Sequence, residues 1–304
     1  MSTDGGRFTE QAMNDVMLHL ARDLDVDAGD AKLLHMANNA TFALPSAGLT
    51  IRIIRSRTLL DRVYKVVELG GYFGQVDAPT IRLADGVVQP LAVDGALASV
   101  WQWVPPTSPA PDASDLGDTL RRFHSLALPA FPLPVWDPIG DARKRISDAE
   151  ALADADRDYL LAWCDRLQPR LEAFAASQPA SLVHGDAHQG NLLRDRSGRI
   201  LLCDFDATCT GPWQVDLVPA PANEARFGAS GAHEQLSKAY GYDITTDPAW
   251  PLLQEARELK MVAGGVPMLA STPGAADEFR LRLDSVRGKD YTVRWTAFSD
   301  LTSR

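Results

Sequence analysis

SLVHGDAHQGNLLRDRSGRILLCDFD, residues 181–206, holds more acceptor and ligand side chains than any other part of the chain. Within it Ser197-Gly198 is a turn signal flanked by the apolar runs Leu192-Leu193 and Ile200-Leu201-Leu202-Cys203, so a short β-hairpin closed by a glycine-containing loop is expected. Folding about that turn is expected to set Asn191 opposite Asp204. A carboxamide beside a carboxylate offers hard oxygen ligands that suit Mg²⁺, with water and phosphate oxygens completing its octahedron. Upstream, Ser181-Leu182-Val183 is apolar and stops at His184-Gly185-Asp186, which leaves Asp186 five residues before Asn191, beside the metal rather than on it. Phosphoryl transfer needs an aligned proton acceptor for the incoming hydroxyl and cations for the departing phosphates. Asp186, Asn191 and Asp204 supply one base and two ligands. A rival reading takes His184, Asp186 and His188 as a hydrolytic metal site, because alternating ligands on an extended segment can converge on one ion.

The order H-G-D-A-H-Q-G-N followed by C-D-F-D resembles the aminoglycoside phosphotransferase and choline kinase family, relatives of the protein kinases, whose H-R-D-L-x-x-x-N and D-F-G keep the same acid-to-amide spacing. The resemblance implies an α+β, two-lobed, protein-kinase-like fold with a small β-rich N-lobe and a larger, mainly helical C-lobe. It implies Asp186 as catalytic base and Asn191 and Asp204 as magnesium ligands. His188 matches the family's second motif histidine and is expected to shape the loop by hydrogen bonding, while His184 is read as a packed, hydrogen-bonded support. Asp216, ending T-C-T-G-P-W-Q-V-D, is expected to brace the catalytic loop. Asp206 replaces the glycine of D-F-G and is expected either to stand behind the metal ligands or to face solvent.

Ahead of this stretch, Thr9 caps a helix reaching about Leu24. Residues 37–42 and 47–53 read as two strands around a Pro45-to-Gly48 turn. There is no G-x-G-x-x-G loop. The resemblance implies a short asparagine- or serine-rich loop over the nucleotide instead, with Asn38 and Asn39 as candidates. Arg52 stands where protein kinases carry a strand lysine, and a guanidinium can hold phosphate bidentately. Leu60 to Phe73 is expected to be a helix whose Glu68 pairs with Arg52. The strand Leu97 to Val104 stops at Pro105-Pro106, which marks a hinge between residues 1–104 and 105–304. By resemblance, the backbone of Gln102, Trp103 and Val104 meets the base of ATP or GTP.

Beyond the hinge, His124 ends a helix and is read as structural. Helical segments at 233–240, 248–262 and 275–287 are expected on the acceptor side. They and their connections carry Glu224, Glu234, Asp243, Glu255, Glu258, Asp277 and Glu278, either to hold an amine-bearing acceptor or as a solvated face.

Forty acidic against 30 basic residues give a formal charge of −10, which disfavours nucleic acid. The three cysteines show no metal-type clustering. No apolar run of membrane-spanning length and no leader-like pattern is present, so neither a membrane nor a secretory route is expected and a cytoplasmic location follows by default. The sequence thus points to a Mg²⁺-assisted small-molecule kinase using ATP or GTP, its acceptor an aminoglycoside or another amine-bearing or sugar alcohol. A catalytically silent nucleotide-binding relative and the histidine metal hydrolase stand as alternatives.

Overall fold

The computed structural model describes residues 8–36, 39–54, 60–149, 151–228 and 231–301. The chain divides into two compact units: Met1–Pro111 with Pro129–Pro132 and Gly190–Ala207, and Asp112–Leu128 with Leu133–Gln189 and Thr208–Arg304.

In the first unit α1 (Glu10–Asp23) starts at Thr9, whose side chain accepts the Ala12 N–H at 3.2 Å. Strands β1 (Lys32–Met36), β2 (Asn39–Leu44) and β3 (Leu49–Ile54) follow, then α2 (Leu60–Gln75), β4 (Leu91–Val93) and β5 (Ala96–Gln102). They form one antiparallel sheet in the order β1-β2-β3-β5-β4. Side chains alternate across it. Phe42, Leu44, Ile51, Ile53 and Val100 therefore meet the buried stripe Met13, Val16, Met17 and Leu20 of α1, and Arg52 points to the opposite face. Helix α2 buries Val63, Val66, Leu69 and Phe73. At Gly70 it comes so near β5 that a Cβ would lie 2.8 Å from Leu83 Cγ and 3.0 Å from the Trp101 ring. Only glycine permits that approach.

The second unit opens with α3 (Ala113–His124), held by a capping box between Asp112 and Asp115. Then come α4 (Pro138–Ser147), α5 (Asp154–Ser177) and β6 (Ser181–Val183). Helix α5 runs unbroken through Pro169. The chain next contributes β7 (Leu192–Arg194) and β8 (Ile200–Leu202) to the first unit before β9 (Cys209–Gly211) pairs antiparallel with β6. Helices α6 (Pro219–Phe227), α7 (Ala232–Tyr240), α8 (Trp250–Ala263), α9 (Ala275–Arg287) and α10 (Phe298–Leu301) complete it. Its core joins Ile139, Ile146, Leu160, Trp163, Leu167, Leu259, Val262, Phe279 and Leu283, each burial contributing about 1.5–3 kcal/mol.

The boundary differs from the expected Val104/Pro105 break. It falls after Pro111, Pro129–Pro132 also fall in the first unit, and residues 190–207, expected in the second lobe, cluster with the first. The physical cause is pairing: Leu202 donates its N–H to Pro79 O at 2.9 Å and accepts that of Ile81 at 3.0 Å, while Phe205 packs on Phe73 with ring centroids 4.8 Å apart. Among the described residues, no helix is long and apolar enough to cross a membrane.

Candidate active site

The hairpin is present, with its register fixed by the loop. Gly198 at φ +86° lets residues 196–198 close on the pair Asp195–Arg199, and the Asp195 carboxylate accepts the N–H groups of Ser197 and Arg199 at 2.8 and 2.9 Å. Those hydrogen bonds, with the Ser197 hydroxyl foremost, hold its pKa at about 2. Leu192 then pairs with Leu202, so Asn191 stands across from Cys203 and accepts its N–H at 2.9 Å. This corrects the expectation that Asn191 and Asp204 lie directly opposite. Asp204 is one residue further on, in left-handed backbone at φ +65°, a conformation that aspartate tolerates better than most residues. Asn191 is largely buried, and the Asp204 side chain is 45% exposed.

Arg52 reaches this end of the hairpin. Its Nη1 and Nη2 donate to Asp206 Oδ1 and Oδ2, both at 2.9 Å, and Nη2 also donates to Asp204 Oδ1 at 3.0 Å. Burial works against the Arg52 charge, yet Asp206 and Asp204 outweigh it and raise the pKa. Burial likewise pushes Asp206 up, but Arg52 holds it below the usual carboxylate range. The expected partner Glu68 does not pair with Arg52. It lies on the exposed side of α2, while Lys65 of that helix donates to Asp206 O at 2.7 Å and Arg62 stands 3.9 Å from Asp206 Oδ2. Asn39 donates to Asp206 Oδ2 at 3.4 Å. Asn38 lies outside the described residues.

At the end of β5 the Gln102 N–H donates to Arg82 O at 2.9 Å and the Trp103 N–H to Gly48 O at 2.8 Å. Pro105 and Pro106 have no N–H. The Val104 amide is thus the last donor before Thr107, and it makes no hydrogen bond among the described residues. Trp101 is buried and Trp103 half-buried.

In the second unit the loop after β6 is hung on Asp216. Its fully buried carboxylate accepts the N–H of His184 at 2.7 Å and of Gly185 at 2.8 Å, and His124 Nε2 lies 3.0 Å away. Burial alone would raise the Asp216 pKa, but His124 and these amides lower it. His124 Nδ1 in turn meets the Tyr240 hydroxyl at 3.0 Å. His124 was legible only as a structural histidine; its partner on the loop brace became visible with the fold.

Asp186 follows on this loop, its side chain 45% exposed. Lys260 of α8 donates to Asp186 Oδ1 at 3.3 Å and to Gly185 O at 3.1 Å, and His188 Nε2 is 3.9 Å from Asp186 Oδ2. Burial opposes ionisation, but Lys260, Arg257, His188 and His184 keep the Asp186 pKa low. The hydrolytic alternative is not formed: His184 is fully buried with its ring against Phe123, and no group of three or more His, Cys, Asp or Glu is placed to hold a metal among the described residues. Asn191 and Asp204 offer two hard oxygens of the kind Mg²⁺ takes alongside phosphate and water.

Along the chain an acid on a braced loop is thus followed by an amide and an acid on a hairpin. The chain belongs to the phosphotransferase enzyme family APH, whose model matches residues 37–255. The homoserine kinase of Neisseria meningitidis serogroup B is 27% identical over 129 residues, and the match spans 42% of this chain and 42% of that protein. A microcompartment-associated aminopropanol kinase has a TM-score of 0.67 at 19% identity, covering 92% of this chain and 99% of that one. Aminoglycoside phosphotransferase APH(3'')-Id from Streptomyces rimosus has a TM-score of 0.61 at 18% identity, covering 81% and 98%. These structures share the kinase-like fold, a small antiparallel sheet with a helical second part.

Proposed function

We propose that this protein is a small-molecule kinase that moves the γ-phosphoryl group of ATP or GTP onto a hydroxyl of an amine-bearing or sugar acceptor. The observation that carries the reading is Asp186, kept ionised by neighbouring cations on a loop whose amides are fixed to Asp216. The alcohol oxygen attacks Pγ, the bond from Pγ to the bridging oxygen breaks, the diphosphate leaves with that electron pair, and the alcohol proton passes to Asp186. A base held this acidic does little early deprotonation. Its contribution is to aim the hydroxyl and take the proton late, as a loose phosphoryl-transfer transition state requires.

Asn191 and Asp204 would hold Mg²⁺, which when bound neutralises charge on the nucleotide phosphates. Arg52, oriented by Asp206, supplies a fixed cation for those phosphates, and Asn39 borders them. The Val104 amide, left without a partner at the strand end, suits an acceptor atom of the base, and Gln102 and Trp103 flank it. The names of the three relatives share an acceptor with both a hydroxyl and an amine, which supports the same class here.

The experiment is acceptor-dependent ADP or GDP release across amino alcohols, hydroxy amino acids, sugars and aminoglycosides, with nucleotide binding followed in parallel. Release with one class supports the reading. Tight nucleotide binding with no release for any acceptor would mark a silent relative instead.

A further inference from the structure

Around Asp186 the second unit gathers positive charge. Arg257 and Lys260 stand three residues apart on α8 and so share one side of that helix. Lys260 is anchored, to Gly185 O and Asp186 Oδ1. Arg257 is not: among the described residues it makes no hydrogen bond and no ion pair, and its Nε is closed off from solvent without a partner. Asp186 is the carboxylate whose field reaches it.

Arg257 is half-buried, and an Nε cut off from water without a partner is costly. The buried arginines of this unit are instead matched to carboxylates. Arg226 donates to Glu258 and Arg282 to Glu278, each at 2.8 Å. Of the acids that sequence marked as amine receptors, Glu255 is engaged by Trp163 and Arg170, Asp243 by His233 and Thr245, and Glu224 by the His233 amide. What stands open beside the base is a cation.

We propose that Arg257, with Lys260 beside it, forms an anion subsite for the acceptor, and that the acceptor is a hydroxy acid or hydroxy amino acid whose carboxylate docks there while its hydroxyl meets Asp186. The proposal rests on the kinase reading above and narrows its substrate class. The planar guanidinium fork matches a carboxylate through two parallel hydrogen bonds, and an ammonium beside it adds a point charge. A polycationic acceptor would bring like charge against both side chains, which discriminates against it. The transfer balances as before, with the carboxylate a spectator throughout.

The test uses the full chain with Mg-ATP and acceptor pairs that differ only by a carboxylate: homoserine and 3-aminopropan-1-ol, threonine and 1-aminopropan-2-ol, serine and ethanolamine, with kanamycin as polycation. The acid of the best-used pair is expected to win in kcat/KM by about tenfold or more, and Arg257→Gln to cut that preference to about threefold or less, through the KM of the acid. Three results would overturn it: a preference that persists in Arg257→Gln, a fall in kcat shared by both members of a pair, which would put Arg257 on the transferred phosphoryl group, or better use of an amine or kanamycin than of any acid. Should nothing turn over, the kinase reading fails separately. Calorimetric titration of homoserine into wild-type and Arg257→Gln protein with AMP-PNP then decides the subsite: binding by wild type alone supports it, and equal or absent binding overturns it.

Discussion

The guanidinium of Arg52 closes on both oxygens of Asp206, two parallel hydrogen bonds of 2.9 Å between residues 154 apart in the chain. In protein kinases the strand cation is oriented by a helix glutamate. Here the residue at the glycine position of D-F-G takes over that contact, and the helix turns the basic residues Lys65 and Arg62 toward it. One further donor of the same guanidinium reaches Asp204, so the strand cation and the proposed metal ligand are coupled through a single side chain.

Removing the acid should therefore do more than delete a surface charge. Asp206→Ala takes both parallel hydrogen bonds from Arg52, and breaking this largely buried pair is expected to cost about 3 kcal/mol in urea denaturation. ATP affinity by calorimetry should fall as well. Glu68→Ala, on the exposed side of α2, should stay within about 0.5 kcal/mol of wild type. Equal effects of the two substitutions would remove Asp206 from its place as anchor.

The acid-to-amide spacing, the hairpin turn and the helices flanking them were legible because each is a local pattern: an apolar period, a turn dipeptide, a capping residue. The one-residue offset of Asp204 from Asn191 does not follow from composition, because it depends on how residues 196–198 close the loop and on Asp204 adopting φ +65°. Charge partners were the least legible. Arg52 had a choice of acids, and the sign of Glu68 alone recommended it, whereas the contact with Asp206 needed the tertiary fold. Arg257 and Lys260 lie inside the helix expected over 248–262, whose acids are the more conspicuous feature of its sequence. Their spacing of three on one helix side was the available signal.

The Asp216 brace predicts an acid limb of stability. Its folded pKa lies below the ordinary 3.8, so its contribution is complete above about pH 4 to 5 and is lost as pH falls through the lowered folded value. Asp216→Asn should lose stability at pH 7 and show a shallower decline between pH 4 and pH 2, measured by urea midpoints across that range. A parallel pair of pH profiles would mean that the hydrogen bonds to His184, Gly185 and His124 do not depend on the charge.

Two neighbouring glycines of α2 should respond in opposite ways. At Gly70 a Cβ would stand 2.8 Å from Leu83 Cγ, so Gly70→Ala forces the helix off β5 at a cost of about 1–3 kcal/mol. At Gly71 nothing lies within 4 Å of the same atom, and Gly71→Ala should stabilise the helix by about 0.5–1 kcal/mol. Thermal melts of both variants check the pair; a destabilised Gly71→Ala would contradict the open space described there.

The lowered pKa of Asp186 fixes how its loss should look. Burial raises it, but Lys260 and Arg257 dominate in the other direction, so the carboxylate is ionised throughout the range from pH 5 to pH 8. The kcat profile should consequently show no rising limb from this group across that range. Lys260→Met removes the nearer cation, 3.3 Å away, and should move the acid limb toward higher pH because desolvation is then less opposed. Asp186→Asn keeps the shape of the side chain and removes the proton acceptor. It should lower kcat by about 10²–10⁴-fold while nucleotide affinity, measured by calorimetry, stays within a few-fold. Wild-type turnover in Asp186→Asn would leave the alcohol without its base, and the phosphoryl-transfer reading of the loop would go with it.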